Sequence, residues 1–140
     1  MSSLLAHIKI VEGYEQRFEE LSRELYKKSH ENEDCIIRYE YYRGREKNTY
    51  YTLLVYPTYL DFLLKHQISE HHENAAGNYG DAIDSIDLEW LDALEDAAPV
   101  SNTEMQKVPE NASDLAKEYG DTHAAEVQEW WKELRKIYRN

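Results

Sequence analysis

Cysteine is nearly absent from this chain. Cys35 stands alone, so no internal disulfide can form, and the composition suits a reducing compartment. Long apolar runs are missing too, and no stretch approaches the roughly 18 consecutive apolar residues of a membrane span. The opening MSSLLAHIKIVEG lacks the basic start, long apolar centre and small-residue cleavage site of a secretory leader, so none is expected. Basic residues are outnumbered, 16 Lys and Arg against 28 Asp and Glu. The resulting formal charge of −12 argues against a nucleic-acid partner and against an anionic membrane surface. G-x-G-x-x-G, the P-loop, G-x-S-x-G and C-x-x-C are all missing, so nothing points to nucleotide binding or to those catalytic classes. These absences predict a soluble cytoplasmic protein that engages neither nucleic acid nor membrane.

What is present is enough for one domain with a proper core: 140 residues, 41% hydrophobic and 31% charged. Only two phenylalanines accompany twelve tyrosines and three tryptophans, so most aromatic rings here carry a polar tip. Such rings suit half-wet pockets and interfaces, and they equally suit ordinary sheet surfaces.

The periodicity changes along the chain. LLAHIKIV, 4 to 11, alternates Leu4, Ala6, Ile8 and Ile10 against Leu5, His7, Lys9 and Val11, as a strand does. After Gly13, Tyr14, Phe18, Leu21 and Leu25 recur at helical spacing to about Lys28, and the polar SHENED, 29 to 34, ends that helix. CIIRYEYYR, 35 to 43, predicts a second strand with Ile37, Tyr39 and Tyr41 on one face. The turn GREKN, 44 to 48, then pairs it with TYYTLLVY, 49 to 56, as a hairpin. Pro57 stops the third strand, and Thr58 can cap a helix reaching about Asn74. AAGNYGDAID, 75 to 84, reads as a loop, and SIDLEWLDAL, 85 to 94, as a strand burying Ile86, Leu88 and Trp90. Strand, helix, strand, strand, helix, strand is the ferredoxin-like βαββαβ order: an α+β fold with both helices on one face of an antiparallel sheet. The division expected is a domain over 1–98, then a linker and helical tail over 99–140. In that tail Gly120 separates two short helices, and the stripe Val127, Trp130, Trp131, Leu134 and Tyr138 docks the last one through Trp130 and Trp131, on the main domain or on a second subunit.

Three stretches, in order, resemble the antibiotic biosynthesis monooxygenase family of dimeric α+β barrels, which includes quinol monooxygenases. EDCIIRYE, 33 to 40, is similar to the EPGCLRYE that enters that family's second strand. LLVYPTYLDFLLKHQISEHH, 53 to 72, resembles its strand, turn and helix ending in H-x-x-S-x-H. SIDLEWLDAL, 85 to 94, resembles its last strand. Asp34 and Cys35 depart from the usual Pro and Gly, and Val55 stands where many members have a glutamate. The resemblance implies a homodimer, a pocket between sheet and helices, and oxidation of a quinol or polycyclic phenol by molecular oxygen without metal or flavin. Some relatives bind and degrade haem.

His66, His71 and His72 are the candidate acid–base residues. With about 100° per residue, Leu60, Leu63, Leu64, Ile68 and His71 gather on the side of a single helix that packs on the sheet, with His72 at its margin. Tyr59, Phe62 and His66 then point the other way, which predicts His66 at the surface or an interface. Zinc on one helix wants donors three or four apart. His66 stands five residues from His71 and six from His72, so their rings should diverge. His66, Glu70 and Glu73 keep helical spacing but suit a solvated face, so no metal is expected. A base for cofactor-free oxygenation is the reading for His71, which also suits a core histidine bonded to a backbone carbonyl. The expected ligand contacts are Tyr39, Tyr41, Tyr59, Trp90 and His7. Two alternatives stay open: a haem-binding relative using His7, His66 or His71, and a non-catalytic dimer that binds a small aromatic ligand.

Overall fold

The computed structural model describes residues 1–138. β1 (Ser2–Ile10) follows its alternation: Leu4, Ala6, Ile8 and Ile10 are all buried. A turn at Gly13 leads into α1 (Glu15–Asn32), which buries Phe18, Leu21, Ser22, Leu25 and Ser29 against the sheet. Tyr14, expected on that stripe, lies outside the helix at its N-cap and is 41% exposed. β2 (Arg38–Arg43) and β3 (Thr49–Tyr56) form the hairpin, and β4 (Ile83–Trp90) closes the sheet in the order β2-β3-β1-β4, every pair antiparallel. α1 and α2 (Glu70–Tyr79) pack against each other over one face. This is the ferredoxin-like α+β arrangement. Burial of each large apolar side chain in its core stabilises it by about 1.5–3 kcal/mol.

The second helical region is not one helix. Asp61–Gln67 is π-helical, with Ile68 N–H donating to the Leu63 carbonyl at 3.1 Å. Ser69 then breaks the run and caps α2 by accepting from His72 N–H at 3.2 Å. Thr58 does cap the start, accepting from Asp61 N–H at 3.0 Å. Bonding from i to i+5 rotates each residue less than an α-helix does. The buried set is therefore Tyr59, Phe62, Leu63 and His66, while Leu60, Leu64 and Ile68 are only partly buried. His66, expected at the surface or an interface, is 1% exposed within the single chain. α2 also runs on through the stretch expected to be a loop. β4 consequently starts at Ile83 and stops at Trp90, leaving Leu94 at 68% exposure.

The other sheet face carries Leu5, His7, Tyr42, Tyr51 and Leu53, with Tyr42 46% exposed. The stretch expected to be a linker is a pinned strap. Met1 receives Glu104 N–H on its carbonyl at 2.9 Å, Ser3 N–H reaches Thr103 Oγ1 at 3.1 Å, and Thr103 is fully buried. α3 (Asp114–Thr122) packs on the π-helix and α4 (Glu129–Tyr138) follows. Within the chain the tail docks through only one of the two tryptophans. Trp131 packs on the main core, but Trp130 is 64% exposed. Arg135 is the buried anchor instead, bonded to Asp92 Oδ1 at 2.5 Å and Oδ2 at 3.0 Å and to Glu104 Oε1 at 2.9 Å. No described helix is long and apolar enough to cross a membrane.

Candidate active site

Between the sheet and the helices lies a cavity of about 630 Å³, within the range of small-molecule sites. Its walls are apolar and aromatic, with Phe18, Leu54, Phe62, Leu88 and Trp90 prominent. Tyr39 and Tyr41 enter from β2, Tyr79 from α2, and His66 and His72 from either side of the helix break. The Tyr39 and Tyr41 hydroxyls pair at 2.7 Å, and Tyr79 pairs with Ser22 at 2.8 Å. Burial pushes the phenols of Tyr39 and Tyr41 well above the ordinary range, so both stay protonated and can donate.

Glu33, at the end of α1, organises the histidines. It is 6% exposed and accepts three hydrogen bonds. Tyr56 Oη donates to Oε1 at 2.7 Å, His66 Nδ1–H to Oε2 at 2.9 Å, and His71 Nε2–H to Oε2 at 2.5 Å. Burial opposes ionisation of Glu33, but the hydrogen bonds from His66, Tyr56 and His71 outweigh it and hold its carboxyl below the usual range. His66 moves down because burial outweighs the attraction of Glu33, so the ring is neutral. With Nδ1–H committed to Glu33, Nε2 of His66 is an unprotonated acceptor, and it has no hydrogen-bond partner among the described residues. His72 is pushed down to about 3, chiefly by burial, and its Nδ1 is buried without a hydrogen-bond partner.

His66 and His71 thus converge on one oxygen atom although an α-helix would set them apart. The π-helical turn and the break at Ser69 supply the missing rotation. Glu33, His66 and His71 are also the one group of three among the described residues that could surround a cation, with donor atoms all within 4.8 Å of one another. Their direct contacts of 2.5 and 2.9 Å are hydrogen-bond lengths. Zinc at about 2.0–2.1 Å from each donor in a tetrahedral shell needs them roughly 3.3 Å apart, so a cation would have to lengthen both carboxylate–imidazole contacts.

The antibiotic biosynthesis monooxygenase family model matches residues 1–78. The chain belongs to this family. Among solved structures, a Caulobacter crescentus protein described as an antibiotic biosynthesis monooxygenase is 25% identical, with a TM-score of 0.62, covering 67% of this chain and 90% of its own. A Pseudomonas aeruginosa protein is 20% identical at TM-score 0.61, covering 67% of this chain and 94% of its own, and a Mycobacterium tuberculosis protein is 16% identical at 0.61, covering 69% and 98%. No curated protein matches.

Within this family fold the expected site residues fall into two groups. His66, His72, Tyr39, Tyr41 and Trp90 all line the cavity. His71 does not: it stands behind Glu33, so it can act on the cavity only through that carboxylate. Tyr59 is fully buried beside the cavity, with its hydroxyl donating to the His123 carbonyl at 2.8 Å. His7 lies on the opposite sheet face, its Nε2 on Glu89 at 2.9 Å. Of the three histidines considered for haem, His7 and His71 have Nε2 engaged, and His66 alone turns a free nitrogen to the cavity. Val55 alternates away from Leu54 and lines the outer face, so the glutamate missing there takes nothing from this cavity. Glu33, Tyr56, Tyr79 and His123 were not singled out by sequence. Glu33 sits in the polar run that ends α1, where an acid usually signals a solvated cap.

Proposed function

We propose that this chain is a cofactor-independent monooxygenase that oxidises a quinol or polycyclic phenol with molecular oxygen, using His66 as the general base. The observation that carries this is the Glu33–His66 pair: a buried carboxylate fixes the imidazole so that its basic Nε2 is left to an aromatic-lined cavity. His66 Nε2 removes the phenolic proton, and Glu33 stabilises the imidazolium that results. The electron-rich phenolate carbon forms a bond to dioxygen. The proton returns to the peroxide; loss of the C–H proton from the same carbon then forms the carbonyl as the O–O bond breaks, leaving one oxygen in the quinone product and the other, with both protons, as water. Tyr39 and Tyr41, held protonated, supply hydrogen bonds to the developing oxygen anion. His71 and Tyr56 position Glu33.

Purified protein is mixed with a panel of hydroquinones and naphthols while oxygen uptake is followed. Uptake that is present in the wild type and lost in His66→Ala supports the assignment. Uptake unchanged in His66→Ala removes His66 from the chemistry. We also propose that the outer sheet face, with Leu5, Tyr42, Tyr51 and Leu53, mates with a second copy, because apolar and tyrosine side chains gathered on one sheet face mark an interface. A monomer by light scattering at micromolar concentration would refute the dimer.

A further inference from the structure

The family match ends at residue 78, yet the cavity described above does not end with the residues of that match. Thr122, His123, Ala124 and Glu126, from the end of α3 and the segment after it, line the same cavity. Ile86 of β4 lines it too, and the exposure of Ala76, Gly80, Ile86, Thr122 and Glu126 marks this end as the mouth.

This lip is held firmly in place. Tyr59 Oη donates to the His123 carbonyl at 2.8 Å, and Tyr119 Oη donates to Glu73 Oε1 on α2 at 2.7 Å. Gly120 lets α3 approach the strap so closely that an added Cβ would stand 2.5 Å from Val108 Cγ2. Ala125 and Trp131 join the main core.

The hydrogen bonds around His123 decide what it offers. Thr122 Oγ1 donates its proton to the Glu118 carbonyl at 3.2 Å, so it must accept from His123 Nδ1–H at 2.7 Å. Nε2 of His123 is then an acceptor, as Nε2 of His66 is at the inner end. Apolar side chains line the cavity along with these two poles, and Glu126 makes the rim acidic.

We propose that the C-terminal segment completes the binding site, with His123 as a ligand-positioning residue that accepts a hydrogen bond from the outer end of an uncharged aromatic diol whose inner hydroxyl meets His66. The assignment rests on the catalytic reading of the cavity for its inner pole only. A carboxylated aromatic is disfavoured by the acidic rim.

The test is anaerobic titration of the full-length protein, followed by tryptophan fluorescence. The probes are a naphthalenediol with its hydroxyls on opposite rings, the mono-methyl ether of that diol, and a naphthol carboxylate. Wild type should bind the diol roughly tenfold more tightly than the ether, the worth of one hydrogen bond, and should bind the carboxylate at least tenfold more weakly than the diol. In His123→Leu the diol and ether should bind alike. His123→Gln, which returns a neutral acceptor, should restore the preference, an outcome that a purely structural role for His123 does not produce. A preference for the diol that survives in His123→Leu, or its absence in wild type, overturns the proposal, and equal binding of the carboxylate overturns the uncharged class. Oxygen uptake is not read here. A protein that shows the His123-dependent preference but consumes no oxygen loses the catalytic reading and keeps this one.

Discussion

The protein holds two buried charged clusters, built by the same chemistry and left in different states. At one, Arg135 donates to both oxygens of Asp92, to Glu104 and to the Thr103 carbonyl, and at 5% exposure it stands apart from the lining of the cavity described above. At the other, Glu33 gathers Tyr56, His66 and His71, but His66 retains a basic nitrogen that borders the 630 Å³ cavity. The first cluster is satisfied and fastens the tail. The second is satisfied on one side only. What separates a staple from a candidate active site here is the unused acceptor and the space next to it, not the degree of burial.

The sharpest way to break that contrast is at Glu33. Glu33→Gln retains the shape but removes the charge that fixes and supports His66, and oxygen uptake should fall by about 10²–10⁴, the usual worth of a positioned general base. Stopped-flow or electrode rates on an accepted quinol decide this, and a rate within twofold of wild type would reduce Glu33 to a structural group.

Arg135→Met should leave catalytic groups untouched but strand Asp92 in a largely buried site. Removing one partner of such a pair costs about 3–5 kcal/mol, and urea denaturation should register it. Loss below 1 kcal/mol would mean that the tail is held by Trp131 and the strap alone. The two tryptophans give an internal control: Trp131→Ala should cost a few kcal/mol, on the order of 3, through lost core packing.

Acid should act on the histidine side. The folded pKa of His72 lies at about 3, and that of His66 is also lowered. The unfolded chain therefore takes up protons, from about pH 6.5 downward, that the folded chain refuses. Stability should decline as pH falls from about 6.5 towards 3, at up to roughly 1.4 kcal/mol per pH unit for each such group. Melting curves of wild type and His72→Gln across that window should show the shallower slope in the variant. At the small end, Trp130→Ala should change stability by no more than about 0.5 kcal/mol, because its ring is mostly solvated.

Much of the fold was legible because strand and helix periods differ and buried faces repeat them. Leu4, Ala6, Ile8 and Ile10 alternate, Phe18, Leu21 and Leu25 follow a helix, and both sets are buried as their spacing requires. The candidate site was legible in part. Tyr39, Tyr41, Trp90, His66 and His72 were all named and all reach the cavity, but the roles of His66 and His71 were assigned from a uniform helix that the chain does not form. A π-helical turn leaves no period that a sequence of this length reveals, and it inverted which histidine is buried. Trp130 and Trp131 read alike as adjacent apolar residues, and packing chose one of them.

By itself the sequence determined the βαββαβ order, the apolar face of the first strand, the shared face of Tyr39 and Tyr41 on the second, the family, and the concentration of histidines near the second helix. These follow from local spacing and from motifs that lie within a few residues of each other. Only the tertiary structure decided that Glu33, 33 residues before His66, meets it, and that His123, 57 residues after it, joins the same cavity. Nothing in a linear chain marks which distant polar groups share a cavity, because that depends on how helices lie over the sheet and on where a single turn widens.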